Sequence, residues 1–179
     1  MKSYQMVLVS LAFTFVPANG YSIPNYRTVS GHTEIDPNSH WEYIASYDPI
    51  EHQQFKDACL RPHSPARIQI KLCYSTASNG DHRIFFYSDT NGITFPTNTG
   101  RGFRIPVMVD GQEIQMSFFT TENHFGLFPN INNGNSQQLI SMLGTRFRNL
   151  RITVPTNESG MVTLSFTGLN QLNLQRLFL

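Results

Sequence analysis

Residues 103–119 read Phe-Arg-Ile-Pro-Val-Met-Val-Asp-Gly-Gln-Glu-Ile-Gln-Met-Ser-Phe-Phe, and this stretch defines its own geometry. Asp110-Gly111 is a type I′ hairpin signal, because both central residues of that turn need φ > 0, which Gly adopts freely and Asp better than most. With a two-residue turn, Val109 faces Gln112, and Val107–Ile114, Ile105–Met116 and Phe103–Phe118 become facing pairs on one apolar side. The other side carries Arg104–Ser117, Pro106–Gln115 and Met108–Glu113, so a one-residue slip would exchange the buried set for polar groups. Pro106 has no N–H to give to a ladder, so its arm is predicted to be a sheet edge or to pair outward only at other positions.

Working outward, Trp41–Tyr47 reads as a first core strand ended by Asp48-Pro49, and residues 50–58 as a short helix with Phe55 and Ala58 facing inward. Ile68, Ile70 and Leu72 alternate with Gln69, Lys71 and Cys73, a half-buried strand with Cys73 on the side opposite the isoleucines. Asn79-Gly80 turns the chain into a partner strand, His82–Ser88, and residues 89–102 form a long connection rich in Asn and Gly. After the hairpin come a short strand at 124–128 and a loop at 129–134. A helix follows, capped by Asn135 or Ser136, with Leu139, Met142 and Leu143 on one face and Gly144 at the C′ position. Strands at 149–154 and 161–166 follow, then a leucine-bearing tail, 168–179, compatible with a helix or a last strand. Six or seven strands and one short helix predict an all-β fold, a single-domain β-sandwich or small barrel over residues 41–179.

The first 20 residues carry one Lys2, an apolar run Met6–Val16 and a small-x-small end at Ala18-Asn-Gly20. That pattern predicts a signal peptide over 1–20, and the run is too short to span a bilayer, which needs about 20 apolar residues. Residues 21–40, with Pro24, Gly31, Pro37 and Asn38, read as an irregular N-terminal leader or as an edge strand around Tyr26–Val29. Cutting after Gly20 leaves 12 basic residues against 12 acidic ones, without charge runs. This offers no electrostatic footprint for nucleic acid or an anionic membrane surface, and no membrane insertion is expected. Cys59 and Cys73 both lie in the exported part, where an oxidising compartment permits a disulfide; two buried thiols or a nucleophile are the alternatives.

The chain has no glycine-rich phosphate loop, nucleophile elbow, two-histidine zinc helix or Cys-x-x-Cys. The densest ligand-like segment is Gly31–His40. An extended backbone there places His32, Glu34 and Asp36 on one face with His40 beyond a turn, donors that suit zinc, but with nothing to fix a supporting partner behind them or an open coordination position the preferred reading is a solvated polar segment before the first strand. His52, His63, His82 and His124 are scattered among polar neighbours. The aromatics say more. Phe119, Phe125 and Phe128, beside Asn130 and Asn132, read as an apolar patch for a protein partner, or as the opposite wall of a sandwich.

The order of several features resembles the invasion-associated locus B family of exported proteobacterial proteins. The similar elements are Trp41, Cys73 in an early strand, the hairpin around Val109-Asp-Gly, Leu139–Leu143 followed by Gly144, and Leu164-Ser-Phe-Thr-Gly-Leu169, together covering roughly residues 41–172. The chain departs from that family in having no cysteine in 117–128, where a second pair is usual. The resemblance implies an all-β protein of the periplasm or cell envelope, associated with host-cell invasion and without an established catalytic set. The expected function is therefore that of an exported, non-enzymatic protein that binds another protein and needs no cofactor. A small metal-dependent hydrolase and an eight-stranded outer-membrane barrel are the alternatives.

Overall fold

In the computed structural model Asp110 and Gly111 have φ of 44° and 87°, and the strands they join pair in the register read from the sequence, Val109 with Gln112 through to Phe103 with Phe118. The structure describes residues 32–36, 39–48, 52–63, 68–88, 93–97, 102–121, 124–130 and 134–177. Along them run β1 (His32–Ile35), β2 (Trp41–Asp48), β3 (Gln53–Leu60), β4 (Ile70–Ala77), β5 (His82–Ser88), β6 (Phe103–Val109), β7 (Gln112–Thr120), β8 (Gly126–Pro129), α1 (Asn135–Met142), β9 (Asn149–Thr156) and β10 (Gly160–Thr167). The signal peptide and the Tyr26–Val29 strand expected from the sequence lie outside the described residues.

Among the described residues the strands form one antiparallel sheet of ten, in the order β1-β2-β3-β4-β5-β8-β7-β6-β9-β10. The fold is all-β with a single short helix, as the sequence predicts, but with ten strands rather than six or seven. The first five strands are a meander. The chain then crosses to β6 and returns through β7 and β8, so that β8 lies beside β5 and β6 beside β9.

Pro106 accounts for an asymmetry in this arrangement. Asp110 N donates to Asn149 O at 3.1 Å, so on β6 the alternate residues Met108 and Pro106 direct their backbone groups toward β9. The missing donor therefore faces β9 and not β7. The β6–β7 ladder runs through Pro106 unbroken, whereas β6–β9 pairing stops at Val107 after three residues.

One face of the sheet builds the core. Trp41, Leu60, Leu72, Phe86, Leu127, Phe118, Val107, Ile152 and Leu164 are all fully or nearly fully buried on it, with Leu139 and Met142 of α1 packed against the same cluster. These are the alternate positions of successive strands, the pattern expected of a half-buried sheet.

Five sequence expectations need correction. Residues 50–58 do not form a helix: β3 occupies 53–60 because β2 and β4 satisfy its backbone on both sides, and Ala58 and Leu60 enter the core together. The cap of α1 is Gly134, not Asn135 or Ser136, since Asn135 Nδ2 donates to Ser117 O and Ser136 Oγ to Pro129 O. The short strand at 124–128 begins only at Gly126, since His124 has φ of 62°. The tail is neither helix nor strand but two 3-10 turns, Leu169–Gln171 and Leu174–Arg176, which drop Leu169, Leu172 and Leu177 onto the open end of the core. The stretch read as an irregular leader also contributes β1, which pairs with β2.

Two carboxylates fasten loops to the sheet. Asp110 accepts from Asn149 N at 2.8 Å and from Arg148 N, and Glu158 accepts from Thr94 N at 2.8 Å and Thr94 Oγ1 at 2.7 Å. Those bonds favour the ionised forms and hold both carboxyls below their ordinary range, Asp110 chiefly through the Asn149 N–H and Glu158 chiefly through the Thr94 N–H. A depressed carboxyl stabilises the fold above its unfolded pKa, and that contribution disappears as pH falls through the folded value. Thermal midpoints should therefore drop as pH falls below about 4, and Asp110→Asn combined with Glu158→Gln should flatten the drop. Identical pH profiles in circular-dichroism melts would exclude these two groups as its source.

Candidate functional site

The second face of the sheet has two characters. Over β6, β7, β9 and β10 its outward positions are mostly polar, among them Arg104, Glu113, Gln115, Arg151, Thr153 and Thr163, with Pro106, Met108 and Met161 as apolar members. Over β2 to β5 and β8 they include Ile44, Cys59, Cys73, Phe85, Tyr87 and Phe128, a second apolar cluster separated from the core by the sheet itself, beside the polar Glu42, Asp57, Lys71, Ser75 and Arg83. Cys59 and Cys73 are directly opposed on β3 and β4 and form a disulfide, with Cα atoms 4.1 Å apart. Phe85 packs beside it and stacks on Phe128, ring centroids 5.0 Å apart at 21°.

Phe119 faces Phe128 across the β7–β8 pair and extends the cluster toward the polar half of the sheet. Two local features hold it there. Thr121 closes the β7–β8 turn by bonding Gly126 through both its backbone and its hydroxyl. Gly102, with φ of 72°, passes so close to β7 that a Cβ there would sit 2.5 Å from Phe118 O and touch the Phe119 ring, which no side chain at 102 would tolerate. Phe125 lies in the turn with its carbonyl accepting from Ser88 N, and Asn130 N donates to Ser117 O, so both flank the patch through their backbones. Phe119, Phe125 and Phe128 are half-buried. Asn132 lies outside the described residues.

A charged group borders the cluster. Glu42, buried on the same face and opposite Cys59, accepts from Arg61 Nε at 2.6 Å and from the buried Lys71 Nζ at 3.1 Å. Either partner alone balances the carboxylate, whereas removal of Glu42 would take this counter-charge from the buried Lys71 ammonium. Asp57, fully buried, lies on this face as well.

The ligand-like residues of the N-terminal segment do not converge. Glu34 pairs with Arg176 Nη1 at 3.2 Å, and the Arg176 guanidinium lies 4.9 Å over the Tyr43 ring. Asp36 N and O close a turn onto Trp41 and Ser39, and His40 is exposed. His32 contributes its backbone to β1. Among the described residues no three His, Cys, Asp or Glu come together as a metal site. The C-terminal turns and β1 to β5 enclose two adjoining hollows, of about 270 Å³ and 220 Å³, that share Lys56 and Leu177. Tyr43 and Tyr74 line or approach this end of the core, and burial raises both phenols above their ordinary range. Neither hollow reaches the roughly 300 Å³ at which small-molecule sites begin.

The sequence reading singled out Phe119, Phe125 and Phe128 and did not include Ile44, Phe85 and Tyr87, which pack in one cluster with Phe128. One signal was available, since Cys73 lies opposite the isoleucines of its strand. No family model, curated protein or solved structure matches this chain. Among the described residues no helix is long and apolar enough to cross a membrane.

Proposed function

We propose that this is an exported protein that works by binding another protein through the outer apolar cluster, with Ile44, Tyr87, Phe119 and Phe128 as the contact residues. One observation carries the reading. On the face of the sheet away from the core, Ile44, Cys59, Cys73, Phe85, Tyr87 and Phe128 form an apolar cluster with a charged border, and half-buried aromatic residues in such a setting are usual anchors of protein interfaces.

Export is supported by the Cys59–Cys73 bond, which persists in oxidising compartments, together with the apolar N-terminal stretch. The resemblance to the invasion-associated locus B family adds a place at the cell envelope and a role as an accessory factor in host interaction to this proposal. The outer-membrane barrel is disfavoured by Arg104, Glu113 and Arg151 on the outward face, where lipid-facing strands carry an apolar band.

The reading is tested by co-purification from the envelope fraction with wild type, Phe119→Ala and Phe128→Ala, each variant first shown by its melting curve to be folded. One discrete protein recovered with wild type should fall about tenfold with each variant, a loss of roughly 1.4 kcal/mol in binding. Undiminished recovery with both variants would contradict the assignment of the cluster.

A further inference from the structure

A different part of the molecule, the free edge of β10, carries a second kind of contact. Edge strands in natural sheets are usually blunted by lysine, proline, bulges or a covering segment. From Gly160 to Thr167 the edge reads Gly-Met-Val-Thr-Leu-Ser-Phe-Thr, without charge or proline, and Met161 is 65% exposed.

The direction of its backbone groups follows from one hydrogen bond. His63 N donates to Ser165 O from beyond the edge, so Ser165 points its backbone groups outward, and alternation makes Met161 and Thr163 do the same. The 2.8 Å contact between Thr153 and Thr163 hydroxyls agrees, as it joins a pair that exchanges no backbone bonds with β9. Pro155 stands opposite Met161 and gives up nothing for the same reason. The backbone at His63 therefore covers the edge at Ser165, while Met161 and Thr163 have no strand partner among the described residues.

We infer that this stretch of β10 pairs with the same stretch of a second copy of the chain, antiparallel about a twofold axis at Val162. In that register Met161 of each copy faces Thr163 of the other, making about four backbone hydrogen bonds. The covered carbonyl of Ser165 then lies opposite Ser159, where β10 has not yet begun, so the cover on one copy coincides with the turn of the other. Thus the pairing window closes at the same point from both sides. Each strand is already ordered, so neither copy bears the ordering cost that an unstructured peptide would meet on so short an edge. The absence of charge from β10 removes like-charge repulsion across the axis. The contact is smaller than the roughly 1,200 Å² of a stable interface, so the dimer is weak, with a dissociation constant of roughly 100 μM.

Sedimentation velocity of the purified, oxidised protein from about 5 to 500 μM should show monomer passing to dimer. Met161→Lys puts a charge on each side of the axis. Thr163→Pro removes an outward N–H and the hydroxyl contact with Thr153 but leaves the β9–β10 backbone bonds in place. Each should weaken association by about tenfold, while Ile35→Lys on the opposite edge leaves it unchanged. Amide exchange at the higher concentration should slow at Met161 and Thr163 but not at Val162 and Leu164, whose groups are already bonded to β9. A monomer throughout the range would overturn the inference. So would association that survives Met161→Lys, or open-ended polymers lost with Ile35→Lys, which would mean pairing of β10 with β1.

Discussion

Trp41→Ala should destabilise the fold by about 3–5 kcal/mol, a large share of the roughly 5–15 kcal/mol that holds a domain of this size together. Trp41 is fully buried on β2, and its indole Nε1 donates to Gly168 O at 2.9 Å, so it fills the core and also ties down the chain as it leaves β10. The C-terminal turns depend on that tie, on Asn173 N to the Tyr43 hydroxyl at 2.9 Å, and on the Thr76 hydroxyl to Leu177 O at 3.0 Å. Trp41→Phe separates the two roles, because it keeps most of the volume and loses the hydrogen bond, worth about 1 kcal/mol plus the cost of leaving a carbonyl unpaired. Urea titrations followed by circular dichroism should rank wild type above Trp41→Phe and both well above Trp41→Ala. A Trp41→Ala midpoint equal to wild type would show that the tail, and not the indole, closes this end of the core.

Loss of the disulfide is the second large effect. Cys59 and Cys73 close a loop with a sequence separation of 14, which the chain-entropy model values at about 3 kcal/mol. Both sulfurs are also buried against Phe85 in the outer cluster, so Cys59→Ala with Cys73→Ala removes packing as well as the cross-link. The double variant should unfold at a clearly lower urea concentration than the oxidised protein, with an m-value changed only by the looser unfolded chain. Equal stability with and without the bond would mean that β3 and β4 are held fully by their ladders and neighbours.

How much of this was legible beforehand depended on whether the deciding interactions were local. The Phe103–Phe118 hairpin could be read to the residue because turn chemistry and period-2 alternation agree within a few positions. Gly144 at the end of α1, with φ of 68°, was legible for the same reason. The helical reading of 50–58 failed because Phe55 and Ala58 are three apart in sequence yet belong to opposite faces of a strand whose neighbours decide its fate. The tail failed similarly, since its backbone at Gly168, Asn173 and Leu177 answers to Trp41, Tyr43 and Thr76 more than 90 residues away.

The candidate site was half legible. Phe119 and Phe128 lie close in sequence and meet across one turn, whereas Ile44, Phe85 and the disulfide join them only through the order of strands β2 to β5 and β8. The metal-like segment illustrates the opposite error. Its spacing suited a ligand set, but Glu34 is engaged by Arg176 from the far end of the chain.

The central claim is that the outer apolar cluster receives a protein. A photo-crosslinking phenylalanine analogue placed at Phe119, and separately at the polar outward position Thr153, tests it in the intact cell envelope. The account predicts one discrete protein adduct from position 119 and none from position 153. The same adducts from both positions, or none from position 119 while the variant remains folded, would contradict it.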